Sequence, residues 1–219
     1  MYIVVFFLAF NFLIAQTASV SGKIALPADA FQKEIKRRTR VKSYRPADLE
    51  LEKKGKKYTE FEKTLVWLEP LDEANNVFIK KNGVLNQQFI TFDPAHVVVQ
   101  KGNEVIFINQ DKIFHNVFSS CCDEKFDIGK KRTGEEVYVK FNKSEHLQVF
   151  CDIHSQMSAL ISVVESPYFT TCDSLGSFKI SNVPAGQYII HGWHPKAVFE
   201  SGKTALVKDQ ALKVKLDFN

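Results

Sequence analysis

An all-β fold, a sandwich or barrel of short strands, is predicted by three features of this 219-residue sequence. Its apolar runs are short and rich in Val and Phe, residue types that suit a pleated strand; Phe alone occurs 19 times. Turn-prone residues separate the runs at close intervals. No long segment carries helical periodicity. At 45% hydrophobic and 25% charged residues, the chain is ordinary globular material, enough for one or two domains.

The elements follow in order. The first fifteen residues, MYIVVFFLAFNFLIA, are apolar apart from Tyr2 and Asn11. They are short for a membrane span and lead into the small residues of AQTAS. Residues 1–17 are therefore expected to be a secretory signal peptide, cut after Ala15 or Thr17, and the protein to work in the periplasm or outside the cell. ASVSGKIAL alternates and reads as a strand. Residues 31–63 hold twelve Lys/Arg against six Asp/Glu, which is +6 in a chain of net +4, so the remainder sums to −2. This segment is expected to be a solvated loop or short helix that can also steer an anionic partner. No groove-reading motif accompanies the charge, so nucleic acid is not expected as a partner. TLVWLEPL is a strand ended by Pro70.

From residue 76 the strand signal becomes regular. HVVVQ and EVIFIN flank KGN, and Gly102-Asn103 predicts a hairpin turn. HNVFSS, EEVYVKF, LQVFC and ALISVVE follow as short strands. Beyond Pro167, LGSFKISNVPAGQYIIHGWHP reads as two strands joined at a tight turn through Pro184 and Gly186. ALKVKLDF places Leu212, Val214, Leu216 and Phe218 on one face of a last strand.

The chemistry concentrates in VFCDIHSQM, where Cys151, His154 and Met157 stand three residues apart. Thiolate and thioether together favour copper over harder cations. His115, 36 residues before Cys151, is the candidate fourth ligand. Two imidazoles, a thiolate and a weak thioether make the trigonal, axially elongated site of electron-transfer copper. One ligand would come from a distant strand and three from a loop between adjacent strands. Taken singly, Cys151 could be a small buried hydrophobe and Met157 core filling; their spacing and company point to metal. One closed copper site leaves no open coordination position, so an electron carrier is expected rather than an enzyme, with no small-molecule substrate. Cys121, Cys122 and Cys172 remain. A bridge from Cys121 or Cys122 to Cys172, or extra metal at these thiols, is open. Exposed thiols would also suit a copper storage, delivery or sensing protein. His191 and His194 could form a second metal site, though packing of His194 beside Trp193 is the expectation; His96 and His146 are expected at the surface.

FDPAHVVVQKGNEVIFINQDKIFHNVFSS together with FCDIHSQMSALISVVE resembles the cupredoxins, the blue-copper family. The short ligand loop is more similar to that of amicyanin than to that of plastocyanin. Phe92 to Pro195 resembles the bacterial cupredoxin-like proteins known as methylamine utilisation proteins. The resemblance implies an eight-stranded Greek-key sandwich and one type 1 copper held by His115, Cys151, His154 and Met157. It implies that Asn116 ties the ligand strand to the cysteine loop and that the Phe114 carbonyl lies opposite Met157. Electrons would pass at the His154 edge to a redox partner such as a c-type cytochrome or a dehydrogenase. The adjacent cysteines 121 and 122 depart from the family pattern. The tail CDSLGSFKISNVPAGQYII resembles the carboxypeptidase regulatory-like fold, a small β-sandwich whose earlier strands match Val20–Ile24 and Thr64–Pro70. The cupredoxin, residues 75–165, is therefore expected to be inserted in or joined to a small sandwich made of residues 18–74 and 166–219.

Overall fold

The computed structural model describes residues 17–31, 52–199, 203–208 and 211–218. The apolar leader and most of the basic segment lie outside the described residues. The fold is all-β, as the sequence predicts, with three short 3₁₀ turns and a helical turn at 52–54 among the described residues. No helix among the described residues is long and apolar enough to cross a membrane.

The strands in chain order are β1 (Thr17–Ala25) and β2 (Leu65–Pro70). Next come β3 (Gly83–Gln88), β4 (Thr91–Asp93), β5 (His96–Gln100), β6 (Glu104–Asn109) and β7 (Phe118–Ser119). They are followed by β8 (Phe126–Asp127), β9 (Glu136–Lys140), β10 (His146–Phe150) and β11 (Ser158–Val164). The last are β12 (Phe169–Thr171), β13 (Ser177–Pro184), β14 (Gly186–Trp193), β15 (Lys203–Val207) and β16 (Leu212–Asp217). They build four sheets. Orders β4-β3-β6-β9 and β5-β11-β10-β7-β8 face each other as a Greek-key sandwich. Orders β13-β1-β16 and β12-β2-β14-β15 make a second sandwich. Strands β3 to β11 pair only among themselves, whereas β1 and β2 pair with strands from the far end of the chain.

Each sandwich has its own core. Leu85, Phe92, Phe107, Phe141, Leu147 and Val149 fill the first, and Cys151 and Met157 belong to the same cluster. Val20, Leu68, Tyr188, Ile190 and Leu216 fill the second, together with Cys172. Alternation explains the assignment: Val105, Phe107 and Asn109 of β6 are buried while the residues between them are half-buried.

The expected hairpin at Gly102-Asn103 takes another form. The KGN turn is present, with Gly102 at φ 91°, but β5 and β6 enter different sheets. The reason lies in where the turn's polar groups go. The Lys101 N–H donates to Val164 O and the Gly102 N–H to Phe141 O. Asn103 Nδ2 donates to Ile79 O, so the turn is fixed by segments on both sheets rather than by a ladder between its own arms. The expected tight turn through Pro184 and Gly186 joins β13 to β14 and likewise carries the chain from one sheet to the other.

In the three-stranded sheet β1 is central, antiparallel to β13 and parallel to β16. Gly22 sits opposite both Phe178 and Val214. A Cβ there would lie 2.1 Å from the Val214 carbonyl oxygen and 2.8 Å from the Phe178 ring. Backbone cannot yield as a flexible side chain can. Gly22→Ala is expected to lower the unfolding free energy by about 3 kcal/mol, read as a drop in the urea midpoint. A variant as stable as the parent would refute the parallel β1–β16 pairing.

The sandwiches meet through a ladder of rings. His191 stacks on Trp67 at 4.8 Å, and Trp67 lies 6.2 Å from His146. His146 stacks on Trp193 at 4.2 Å, and Trp193 meets His96 edge-on at 5.7 Å. The expectation that His96 and His146 are surface residues is therefore corrected: His96 is buried and His146 half-buried. The cause is the second sandwich, whose β2 and β14 cover faces that the first sandwich alone would expose.

Candidate metal centre

Cys151 directly follows β10, and the next six residues turn back into β11. Strands β10 and β11 are antiparallel neighbours in register from His146↔Ser162 to Phe150↔Ser158. The Met157 N–H donates to His154 O at 3.0 Å and closes the loop. His115 arrives from between β6 and β7, held by a two-way backbone bridge to Lys131.

These elements bring three ligand atoms together. His115 Nδ1 and His154 Nδ1 are 3.0 Å apart, and Cys151 Sγ lies 3.9 and 3.8 Å from them. A triangle with these sides puts each corner about 2.1 Å from its circumcentre, close to a metal–imidazole bond and about 0.2 Å short of a metal–thiolate bond. Among the described residues this is the only cluster of three or more His, Cys, Asp or Glu ligand atoms close enough to share an ion. All three residues are buried. The donor set of two imidazoles and a thiolate suits copper.

The sulfur is prepared as a ligand. Burial alone would raise its pKa. The His115 and His154 rings beside it, and hydrogen bonds from the Asn116 and His154 main-chain N–H groups, instead hold the Cys151 thiol down at about 6. A thiolate is thus the dominant form at neutral pH. Met157 is 1% exposed in the same core cluster as Cys151.

Asp111 is a residue that sequence reasoning missed. Its Oδ2 accepts from His115 Nε2 at 2.8 Å. It also accepts from the Phe89 and Ile90 N–H groups at 2.7 and 2.9 Å. Burial acts to raise its pKa, but the bonds from His115, Ile90 and Phe89 hold it below the usual carboxylate range. A carboxylate accepts only, so Nε2 carries the ring proton and the Nδ1 lone pair is left for the metal. The sequence signal was an acidic residue four positions before the ligand.

The remaining expected residues are placed as follows. The Asn116 main-chain N–H reaches the Cys151 sulfur, while its side-chain amide donates to Asp127 at 2.8 Å rather than to the cysteine loop. The Phe114 ring is 50% exposed, with the Arg132 guanidinium 6.0 Å from its centre. Cys121 and Cys122 are exposed, whereas Cys172 is buried in the core of the second sandwich. All four cysteines are free, and Cys172 sits in a different core from the exposed pair Cys121 and Cys122. Burial pushes the Cys172 thiol up to about 12, the behaviour of an inert packed sulfur. His191 and His194 each face a carboxylate, Glu69 at 2.6 Å and Glu60 at 3.6 Å, and belong to no ligand cluster.

The family model of copper binding proteins, plastocyanin/azurin family, matches residues 78–164. Among solved structures the chain is similar to a copper-containing nitrite reductase from Thermus scotoductus SA-01, at 21% identity and TM-score 0.37, over 43% of this chain but only 25% of that one. It is similar to a purple cupredoxin from Nitrosopumilus maritimus, at 17% identity and TM-score 0.34, over 37% of this chain and 98% of that one. It is also similar to amicyanin from Paracoccus versutus, at 17% identity and TM-score 0.36, over 45% of this chain and 96% of that one. No curated protein sequence matches the chain. Residues 78–164, with their buried His-Cys-His cluster, thus form a cupredoxin domain of the plastocyanin/azurin family of copper binding proteins.

Proposed function

We propose that this protein is an exported single-electron carrier whose one type 1 copper would be held by His115, Cys151, His154 and Met157, with the Phe114 carbonyl beside the site. The observation that carries the reading is the triangle of ligand atoms, sized for a metal and buried in a stiff β frame. When bound, copper supplies a one-electron couple that thiolate and imidazoles keep poised between its two states. The chain's own residues do the rest. Asp111 fixes the His115 tautomer, the main-chain N–H groups at 116 and 154 orient the thiolate, and the core around Met157 excludes water. Partner choice is read from the surface beside His115. Phe114 offers an exposed ring with the Arg132 guanidinium 6.0 Å from its centre, and Lys112 and Lys130, each within two residues of Phe114 or Arg132 in the chain, are exposed. A redox protein with an acidic face, such as a c-type cytochrome or a dehydrogenase subunit, suits that surface. The basic segment 31–63 would add to the attraction. The copper domain is read as an insertion into the second sandwich, a reading supported by the pairing of β1 and β2 with strands after β11.

The test is the visible and paramagnetic resonance spectrum of the copper-loaded protein beside Cys151→Ser. An intense thiolate-to-copper band with narrow hyperfine splitting is expected in the parent and complete loss of the band in the variant. A pale parent that still binds copper would replace electron transfer with copper handling, the reading that the exposed thiols favour.

A further inference from the structure

We propose that Cys121 and Cys122 form a second metal site, separate from the one built on Cys151, which holds a single Cu(I) ion on the surface of the cupredoxin domain. Consecutive side chains on extended backbone point to opposite sides. Here Cys122 adopts φ 68°, in the left-handed region, and the two sulfurs come to 2.8 Å from each other. A left-handed conformation at a residue other than Gly, Asn or Asp is uncommon and needs surrounding structure to hold it. That structure is present. Glu145 accepts from the Asp123 and Glu124 N–H groups at 2.9 and 3.0 Å, Glu124 accepts from the Asn142 N–H, and Lys143 pairs with Asp123 at 3.1 Å. The loop is thus tied to the segment preceding β10, and two exposed thiols stand on it side by side.

The donor set selects the ion. Thiolates favour soft metals. Zinc closes four-coordinate structural sites, and no third His, Cys, Asp or Glu ligand atom among the described residues joins this pair. The other polar neighbours are the Ser119 hydroxyl, 3.4 Å from Cys121 Sγ, and the His146 carbonyl, 3.4 Å from Cys122 Sγ. The Gln148 main-chain N–H also reaches Cys121, and the Glu145 and Asp123 carboxylates add negative charge near Cys122; two thiolates in such a setting, with no third ligand atom, suit a soft, low-coordinate cation. Binding breaks two S–H bonds and forms two Cu–S bonds; two protons leave to solvent and no electron changes hands. The pair is also remote from the first site. Cys122 lies against His146 at the start of β10 and Cys151 follows its end, five residues or about 17 Å along the strand.

The test is a titration of the full-length, copper-free, reduced protein with Cu(I) without oxygen, in competition with bicinchoninate. The parent is expected to take two equivalents. The double variant Cys121→Ser/Cys122→Ser is expected to take one and to keep its blue band on oxidation, and Cys151→Ser to retain one. A parent that takes one equivalent, or a double variant that still takes two, overturns the second site. Loss of the blue band in the parent alongside a stoichiometry that still depends on Cys121 and Cys122 would overturn the electron-carrier reading instead and leave this one standing.

Discussion

Asp111→Asn is expected to weaken copper binding by one to two orders of magnitude and to destabilise the copper-free protein as well. The substitution keeps the shape and changes only what one end of the side chain can do. The carboxylate accepts three hydrogen bonds, from Phe89 N, Ile90 N and His115 Nε2. An amide offers one oxygen. With that oxygen toward Phe89, its NH₂ faces the Ile90 N–H and the His115 ring. The ring can then satisfy the NH₂ only by giving up the Nε2 proton, which moves to Nδ1 and blocks the position that faces Cys151. With the oxygen turned the other way, the NH₂ meets the Phe89 N–H. Either orientation leaves a buried donor without an acceptor, at a cost of about 1–3 kcal/mol. Phe89 and Ile90 both sit at positive φ, 55° and 53°, so the lost bonds are the ones that hold an unfavourable turn. The measurements are copper affinity by chelator competition and the urea midpoint of the copper-free form. Unchanged copper affinity would show that Asp111 does not select the His115 tautomer.

The same residue marks the limit of what the sequence could tell. The spacing of Cys151, His154 and Met157 was legible because all three candidate ligands come from one loop, and local spacing survives folding. Strands β1, β2, β5, β6, β10 and β16 were legible for a similar reason: alternation and bounding turns are local signals. What stayed hidden depended on which elements pack together. Asp111 reads as an ordinary loop acid until β3 and the turn after it bring the Phe89 and Ile90 N–H groups to its two oxygens. The Gly102-Asn103 turn was found, but its role as a crossing between sheets depends on Val164 and Phe141, far along the chain. His96 and His146 looked like surface residues because the first sandwich alone would expose them; a second sandwich covers them.

That cover carries the second large effect, a loss of stability in mild acid. His96 Nδ1 lies 2.9 Å from the Lys63 carbonyl, which can only accept, so Nδ1 carries the proton. Nε2 must then accept from the Ser162 hydroxyl at 2.7 Å, and that hydroxyl's oxygen receives a bond from His146 Nδ1 at 2.8 Å. The chain of donors runs one way and requires His96 to be neutral, while His146 need only carry a proton on Nδ1. Burial drives the His96 pKa down to about 3 and that of His146 to about 4, against 6.5 in the unfolded chain. The neighbouring His146 and His194 add to the depression at His96. The sign follows from proton uptake. Below pH 6.5 the unfolded chain binds protons that the folded chain refuses, so the stabilisation present above 6.5 is lost as pH falls toward the folded values. For the fully buried His96 the slope approaches about 1.4 kcal/mol per pH unit between roughly pH 6 and 4. Trp67 and Trp193, the only two tryptophans, both stand in the ring ladder, so their fluorescence reports the junction directly. Urea unfolding followed at that wavelength is expected to show a midpoint that falls steeply from pH 6.5 to 4.5 in the parent. In His96→Gln, whose amide can give one bond and accept the other without titrating, the decline is expected to be shallower by about one proton. A variant with the parent's full pH dependence would move the acid sensitivity away from the junction and onto the carboxylates of the two cores' surfaces.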